Sequence, residues 1–159
     1  MKDENLREFF ARVADRAARQ FSKEKSIGCT IYHAVKPGGD EVIFPQPPGD
    51  KDRSIALARE VLKAIDAARV AIICEAWVLD ARTQAFDIAK INREGVARQP
   101  GRIEILLIAA EDQVEGSLMA RREIIRHDGR VILGKLTFIE HDGAEGRMAG
   151  MLPSLRMKH

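Results

Sequence analysis

The dipeptide Asp128-Gly129 constrains this chain more than any other feature. It sits between 117–126 and 131–140, two runs rich in strand-forming residues. A two-residue type I′ turn needs positive φ at both central positions, and Asp and Gly tolerate that. A hairpin here sets a register. His127 faces Arg130, and continuing the pairing puts Arg122 opposite Lys135. Like charges directly opposed are destabilising, so this reading asks for an anionic group nearby. A three-residue loop at Asp112-Gln113-Val114 would bring Glu104 beside Arg122 and complete a row of three. That row is either a solvent-facing set of ion pairs or a weak small-anion site made by Glu104, Arg122 and Lys135.

The same register sorts the apolar residues. Met119, Ile125, Ile132, Leu136 and Phe138 share one face, where helices are expected to pack. Leu118, Ile124, Leu133 and Ile139 lie on the other, interleaved with the cations. A face that apolar needs cover from a helix, from the 80–101 segment or from a second subunit. The 131–140 strand also ends the run as an edge with unpaired backbone groups, which tends to aggregate unless shielded. A strand at 30–35 or the 141–159 tail could shield it, but the first is short and the second Gly-rich. The expectation is a homodimer, formed through this edge or through the mixed face carrying Arg122 and Lys135.

Two more strands precede the hairpin. Val70 to Leu79 is short, apolar on both alternating faces and rich in Val and Ile, as a central strand covered on both sides should be. Residues 102–111 repeat the pattern. Helices are expected over 3–24, where Leu6, Phe9, Phe10, Val13, Ala17 and Phe21 form one stripe, and over 51–68, with Asp50 or Asp52 as cap. Arg7, Arg12, Arg16 and Arg19 read as the solvated side of the first helix. Residues 30–35 and 41–44 could pair across Pro37-Gly38-Gly39-Asp40. The proline-rich 45–49 reads as an extended, stiff connector. A short helix over 81–92, capped by Asp80 and ending before Gly95, would fill the gap before 102. The tail 141–159 reads as irregular, with Met151-Leu152-Pro153 its apolar knot. The fold class is therefore α+β: one domain over 1–159, with an antiparallel four-stranded meander, five- or six-stranded if 30–35 and 41–44 join, flanked by two helices.

Composition bounds the function. With 26 basic and 24 acidic residues the net charge is +2, which gives little reason to expect nucleic acid. The longest apolar run, Val70 to Leu79, is too short to span a bilayer and contains Glu75. The start Met1-Lys2-Asp3-Glu4-Asn5 is polar, and Cys74 lies in an apolar run like a buried hydrophobe. A soluble protein of the reducing cytoplasm is expected. No motif for a cofactor is present, and none is expected. His33, His127, His141 and His159 are scattered. Cys29 and His33 share strand parity but lie roughly 13 Å apart along a strand, too far to share one zinc. Neither Ser54 nor Ser117 sits in a nucleophile elbow. Glu75, Glu104, Glu111, Glu123 and Lys135 match no nuclease spacing.

Glu75 is the residue that asks for an explanation. It stands inside an apolar decapeptide, two positions before Trp77 and on the same face. A buried carboxylate is costly unless paired or hydrogen-bonded. It is either the carboxylate of a catalytic or ligand site that includes Trp77, or the acidic half of a structural pair with an arginine. Cys74-Glu75-Ala76-Trp77, the run Arg102 to Asp112, and Gly146-Arg147-Met148-Ala149-Gly150-Met151-Leu152-Pro153 resemble segments of small uncharacterised bacterial and phage-encoded proteins. The resemblance covers roughly the C-terminal half. It implies an origin in a phage or mobile element, and it assigns no activity, cofactor or catalytic residue. Two functions remain: a non-catalytic interaction or assembly module, which the lack of catalytic motifs favours, and a small enzyme or anion-binding protein using Glu75 with an arginine partner.

Overall fold

A computed structural model describes residues 4–79, 87–139 and 151–152. Within them the chain runs α1 (Leu6–Glu24), β1 (Ile31–Val35), β2 (Glu41–Pro45), α2 (Lys51–Ala64), β3 (Arg69–Val78), α3 (Ile88–Glu94), a single 3-10 turn at Val96–Arg98, β4 (Ile103–Asp112), β5 (Gly116–His127), β6 (Arg130–Leu133) and β7 (Thr137–Phe138). All strands pair antiparallel in one sheet of order β2-β1-β3-β4-β5-β6, with β7 also on β5. The fold is α+β, and β3 to β6 form the expected meander.

Local chemistry sets each boundary. Asn5 accepts from the Glu8 amide while the Glu8 carboxylate accepts from the Asn5 amide, a reciprocal cap that starts α1 three residues later than the apolar pattern alone suggests. Lys25 closes the helix in the left-handed region, at φ 63°. Asp50, not Asp52, caps α2 through the Arg53 amide. That helix stops at Ala64 rather than 68, because Asp66 turns left-handed (φ 55°) and the chain enters β3 at Arg69. Asp128 and Gly129, at φ 48° and 74°, make the two-residue turn, and His127 does face Arg130. Of the helix expected at 81–92 with Asp80 as cap, the described part is α3, which begins only at Ile88, is capped by Asp87 and not by Asp80, and ends at Gly95. Residues 80–86 lie outside the described residues, as does most of the 141–159 tail.

α1 and α2 lie on opposite sides of the sheet, and the 3-10 turn at Val96–Arg98 also packs on β3. The α1 stripe packs on Ala71, Ile73, Leu106, Ile108, Ala110, Ala120 and Ile124, with Leu118, Val131 and Leu133 at the margin. On the opposite side α2 packs on Tyr32, Ala34, Val70 and Ile72. Tyr32 stacks on its cross-strand neighbour Phe44 at 4.9 Å, and its hydroxyl donates to Gln46 in the proline-rich connector. Met151 is buried in this second cluster, and the Glu111 carboxylate accepts from the amides of Met151 and Leu152. Met151 and Leu152 of the tail's apolar knot are therefore docked.

Two expectations need correction here. The hairpin face bearing Met119, Ile125 and Ile132 is not the one α1 covers. The helix takes the other parity, because β3 and β4 offer it an unbroken apolar row there, whereas Arg121 and Glu123 interrupt the Met119–Ile125 side of β5. Nor is 131–140 one strand. After the Ile124↔Leu133 pair the sum of paired residue numbers rises by one, to Ala120↔Phe138. An extra residue at 134–136 makes a bulge and swaps the side on which later residues fall. Leu136 and Phe138 thereby join the α1 face, where the Phe138 ring lies 5.4 Å from that of Phe10.

Phe9 is fully buried, with the guanidinium of Arg12 5.4 Å and that of Arg69 5.5 Å from its ring centroid. Phe9→Ala should lower unfolding free energy by about 3–5 kcal/mol, through lost burial plus the cavity left behind. Urea titration followed by circular dichroism measures this. A loss under about 1 kcal/mol would mean that α1 is not seated as described.

Candidate functional site

At the end of the sheet beyond the α1 C-terminus, strand parity brings four of the five sequence-derived residues onto one face. Glu75 pairs across β4 with Leu106, and Leu106 with Arg122; Trp77 pairs with Glu104. Glu75 is half-buried, and its Oε1 accepts from the Ile27 amide at 3.0 Å. It fastens the chain where it leaves α1, so its visible bond is to backbone and not to an arginine. Trp77 is 42% exposed, with the Arg102 guanidinium 5.0 Å from its ring centroid. That is cation–π range.

Glu104 does not meet Arg122. The loop between β4 and β5 is Gln113-Val114-Glu115, one residue later than expected, because Asp112 Oδ1 accepts from the Val114 and Glu115 amides and Gly116 (φ 95°) reopens the strand. Sliding the loop by one residue moves the pairing by two. Glu104 then holds Arg126 in a bidentate pair, both contacts 2.8 Å. Arg122 instead donates to the Gly134 carbonyl at 3.0 Å, while its buried Nε has no hydrogen-bond partner among the described residues. Lys135 does not oppose Arg122. The ladder stops at Leu133, and Lys135 is exposed in the bulge. Arg126 is the partner that reading from the hairpin alone missed. The signal that could have found it is Asp112 followed at the fourth position by Gly116, a side-chain-capped turn.

A second constellation lies at the opposite end of the sheet. A cleft of about 360 Å³ opens between the α1 N-terminus, the β1–β2 turn and the starts of β2 and β3. Its arginines are occupied. Arg69 donates to Asp112 at 2.8 Å, to Glu115 at 2.7 Å and to the Glu4 carbonyl at 2.8 Å. Arg12 holds Glu4 and Glu41, each at 2.9 Å, so it is not merely solvated. Glu41 also takes His33, 3.1 Å away. An ionised carboxylate has no proton to give, so Nδ1 must carry it. Burial raises the Asp112 carboxyl, but the amides of Glu115 and Val114 and the Arg69 guanidinium outweigh it and hold the group below its usual range. Burial pushes the His33 imidazole down, further than Glu41 lifts it. The arginines of the cleft are thus closed in ion pairs, while Lys36 at its rim has no ion-pair partner among the described residues.

Cys74 is pushed up to about 11 by burial and the nearby Glu75 charge, the reverse of an activated thiol. Among the described residues no group of three His, Cys, Asp or Glu side chains could hold a metal ion. No helix among them is long and apolar enough to cross a membrane. Among the exposed large apolar side chains, two are paired directly. Ile125 and Ile132 face each other across the β5–β6 hairpin on the side away from α1, 43% and 56% exposed.

Glu75→Ala should cost roughly 1–3 kcal/mol by stranding the Ile27 amide, and Glu75→Gln, which keeps an acceptor oxygen, much less. Equal losses in denaturant titrations of the two variants would show that the charge, rather than the acceptor, matters. For His33, the folded value lies below the unfolded value of 6.5. The unfolded chain therefore binds more protons near pH 6, and stability falls as pH drops through that region. The denaturation midpoint should decline from about pH 7.5 to about pH 5.5, and His33→Gln should flatten that decline. An unchanged slope in the variant would rule His33 out as its source.

A scan of protein-family models and searches of curated proteins and solved structures found no match to this chain.

Proposed function

We propose that this chain is a non-catalytic assembly module that forms a homodimer through its β5–β6 hairpin. The observation that supports this is the directly paired, half-exposed Ile125 and Ile132. Apolar groups placed together at a sheet edge gain by being covered. Three of the arginines that might serve a substrate are committed within the chain: Arg12 and Arg69 to acids of the cleft, and Arg126 to Glu104. The mixed face with Arg122 and Lys135 is set aside as the contact surface, because Arg122 lies under the α1 side and Lys135 stands apart from it.

The second reading, a small enzyme or anion-binding protein built on Glu75 and an arginine, draws on the orphan Nε of Arg122. It is weakened by the bond from Glu75 to the Ile27 amide, which gives that carboxylate a structural role.

Sedimentation velocity across the micromolar range should give a mass rising from 17.7 kDa towards about twice that value. A constant monomer mass up to the highest accessible concentration would end the proposal.

A further inference from the structure

The hairpin face that carries Ile125 and Ile132 has a charge pattern that matches its own reverse. Along β5 this face presents Arg121, Glu123, Ile125 and His127 in order. On β6 it presents Ile132 beside Ile125, and Arg130 beside His127, with Asp128 at the turn. Read down the face, the rows are a cation, an anion, the isoleucine pair, a row ending in a cation, and an anion. The first four rows are two residues apart, roughly 7 Å, and Asp128 follows one residue later in the turn.

Among the described residues Arg121, Glu123 and Arg130 have no ion-pair partner. Asp128 touches only the exposed imidazole of His127, at 3.2 Å. All of these residues except Arg121, which is half-buried, stand in solvent. The contrast with the other face is sharp, since Glu104 and Arg126 there satisfy each other within the chain.

We infer that this face takes a second copy of the chain, the two related by a two-fold axis that runs along the Ile125–Ile132 row. The inference rests on the dimer reading above and specifies its geometry. Two in-plane two-fold axes through the isoleucine row are open to a face-to-face contact. An axis along the strands lays each row on its own copy, setting Arg121 against the partner's Arg121 and Glu123 against the partner's Glu123. Like charges in contact disfavour it. An axis across the strands reverses the order of the rows. Each strand then lies over its own copy: Glu123 lies over the partner's His127 with the partner's Arg130 one strand, roughly 5 Å, to the side, Arg121 comes to the level of the partner's turn that carries Asp128, and the isoleucines stack at the centre. The half-buried Ile103 widens the apolar centre, since continuing the β4–β5 register by two residues sets it alongside Ile125. The contact is small and ringed by charge, which suits a reversible dimer of micromolar affinity rather than an obligate one.

The test is sedimentation equilibrium on the full chain and four variants, each checked for folding by circular dichroism. Glu123→Arg and Arg130→Glu should each weaken the dimer about tenfold or more, by setting like charges together. The double reversal should return the dissociation constant to within about threefold of the original, because the pair is rebuilt with its signs exchanged. Ile125→Ser should leave a monomer. As a readout that does not depend on charge, Ile125→Cys in a Cys29→Ser background should cross-link to itself with a short bis-maleimide. A chain that dimerises but ignores both reversals, or a double variant no better than the singles, overturns this geometry and leaves the dimer reading standing. A wild-type chain that stays monomeric throughout overturns both.

Discussion

The guanidinium of Arg69 donates in three directions: to Asp112 at the end of β4, to Glu115 in the β4–β5 loop and to the carbonyl of Glu4 just ahead of α1. It also lies over the ring of Phe9, the first fully buried aromatic of that helix. Glu115 in turn accepts from the Leu6 amide, one of the free amides that every helix start must satisfy. One side chain at the first position of the central strand thus aligns the next strand, fixes the loop that sets the following register, and anchors the helix that covers the sheet. Because Asp112 and Arg69 are both largely shielded, removing either would strand a charge, and the cost would exceed that of an exposed pair. The pairing of β4 with β5, and the placing of Glu104 beside Arg126, follow from a loop held in this way.

The two faces of the sheet are covered unequally, and this asymmetry bears on function. α1 lies across β3 to β6, so the even positions of β5 are buried or paired up to Ile124. α2 reaches β1 and β3, and its cluster ends there. The odd positions of β5 are left with a thin apolar centre and charges that have no internal partner.

Much of this was legible in the sequence. Asp128-Gly129 located the hairpin and its register, because few dipeptides accept positive φ twice in succession. The doubly apolar stretch at 70–79 marked a central strand, and the Leu6–Phe21 stripe a covering helix. Glu75 stood out for its place in an apolar strand. What could not be read was which side the helix would take. That depends on the summed apolar character of three strands, and the hairpin considered alone pointed the other way. The loop at 113–115 escaped because its turn is held by one carboxylate oxygen of Asp112, which makes a difference of one residue worth two in register. The bulge after Leu133 escaped for a similar reason: Gly134 is a weak marker beside a long apolar run, yet one extra residue moved Leu136 and Phe138 to the opposite side.

The docking of Met151 has a consequence for the order in which the fold can be completed. The cluster around Tyr32 and Leu62 is assembled from residues made early, but Met151 fills part of it and is held there by the Glu111 carboxylate. A nascent chain can lay α2 on β1 and β3 well before residue 151 has been synthesised. Until then Glu111 lacks those two amides, and the side of the cluster that Met151 closes stays open to water. The last step of folding on that side therefore joins segments far apart in the sequence, and contacts of that kind are slow to form. Among the described residues, translation past residue 151 therefore supplies the last contact on the α2 side, whereas β7 supplies the last one on the α1 side.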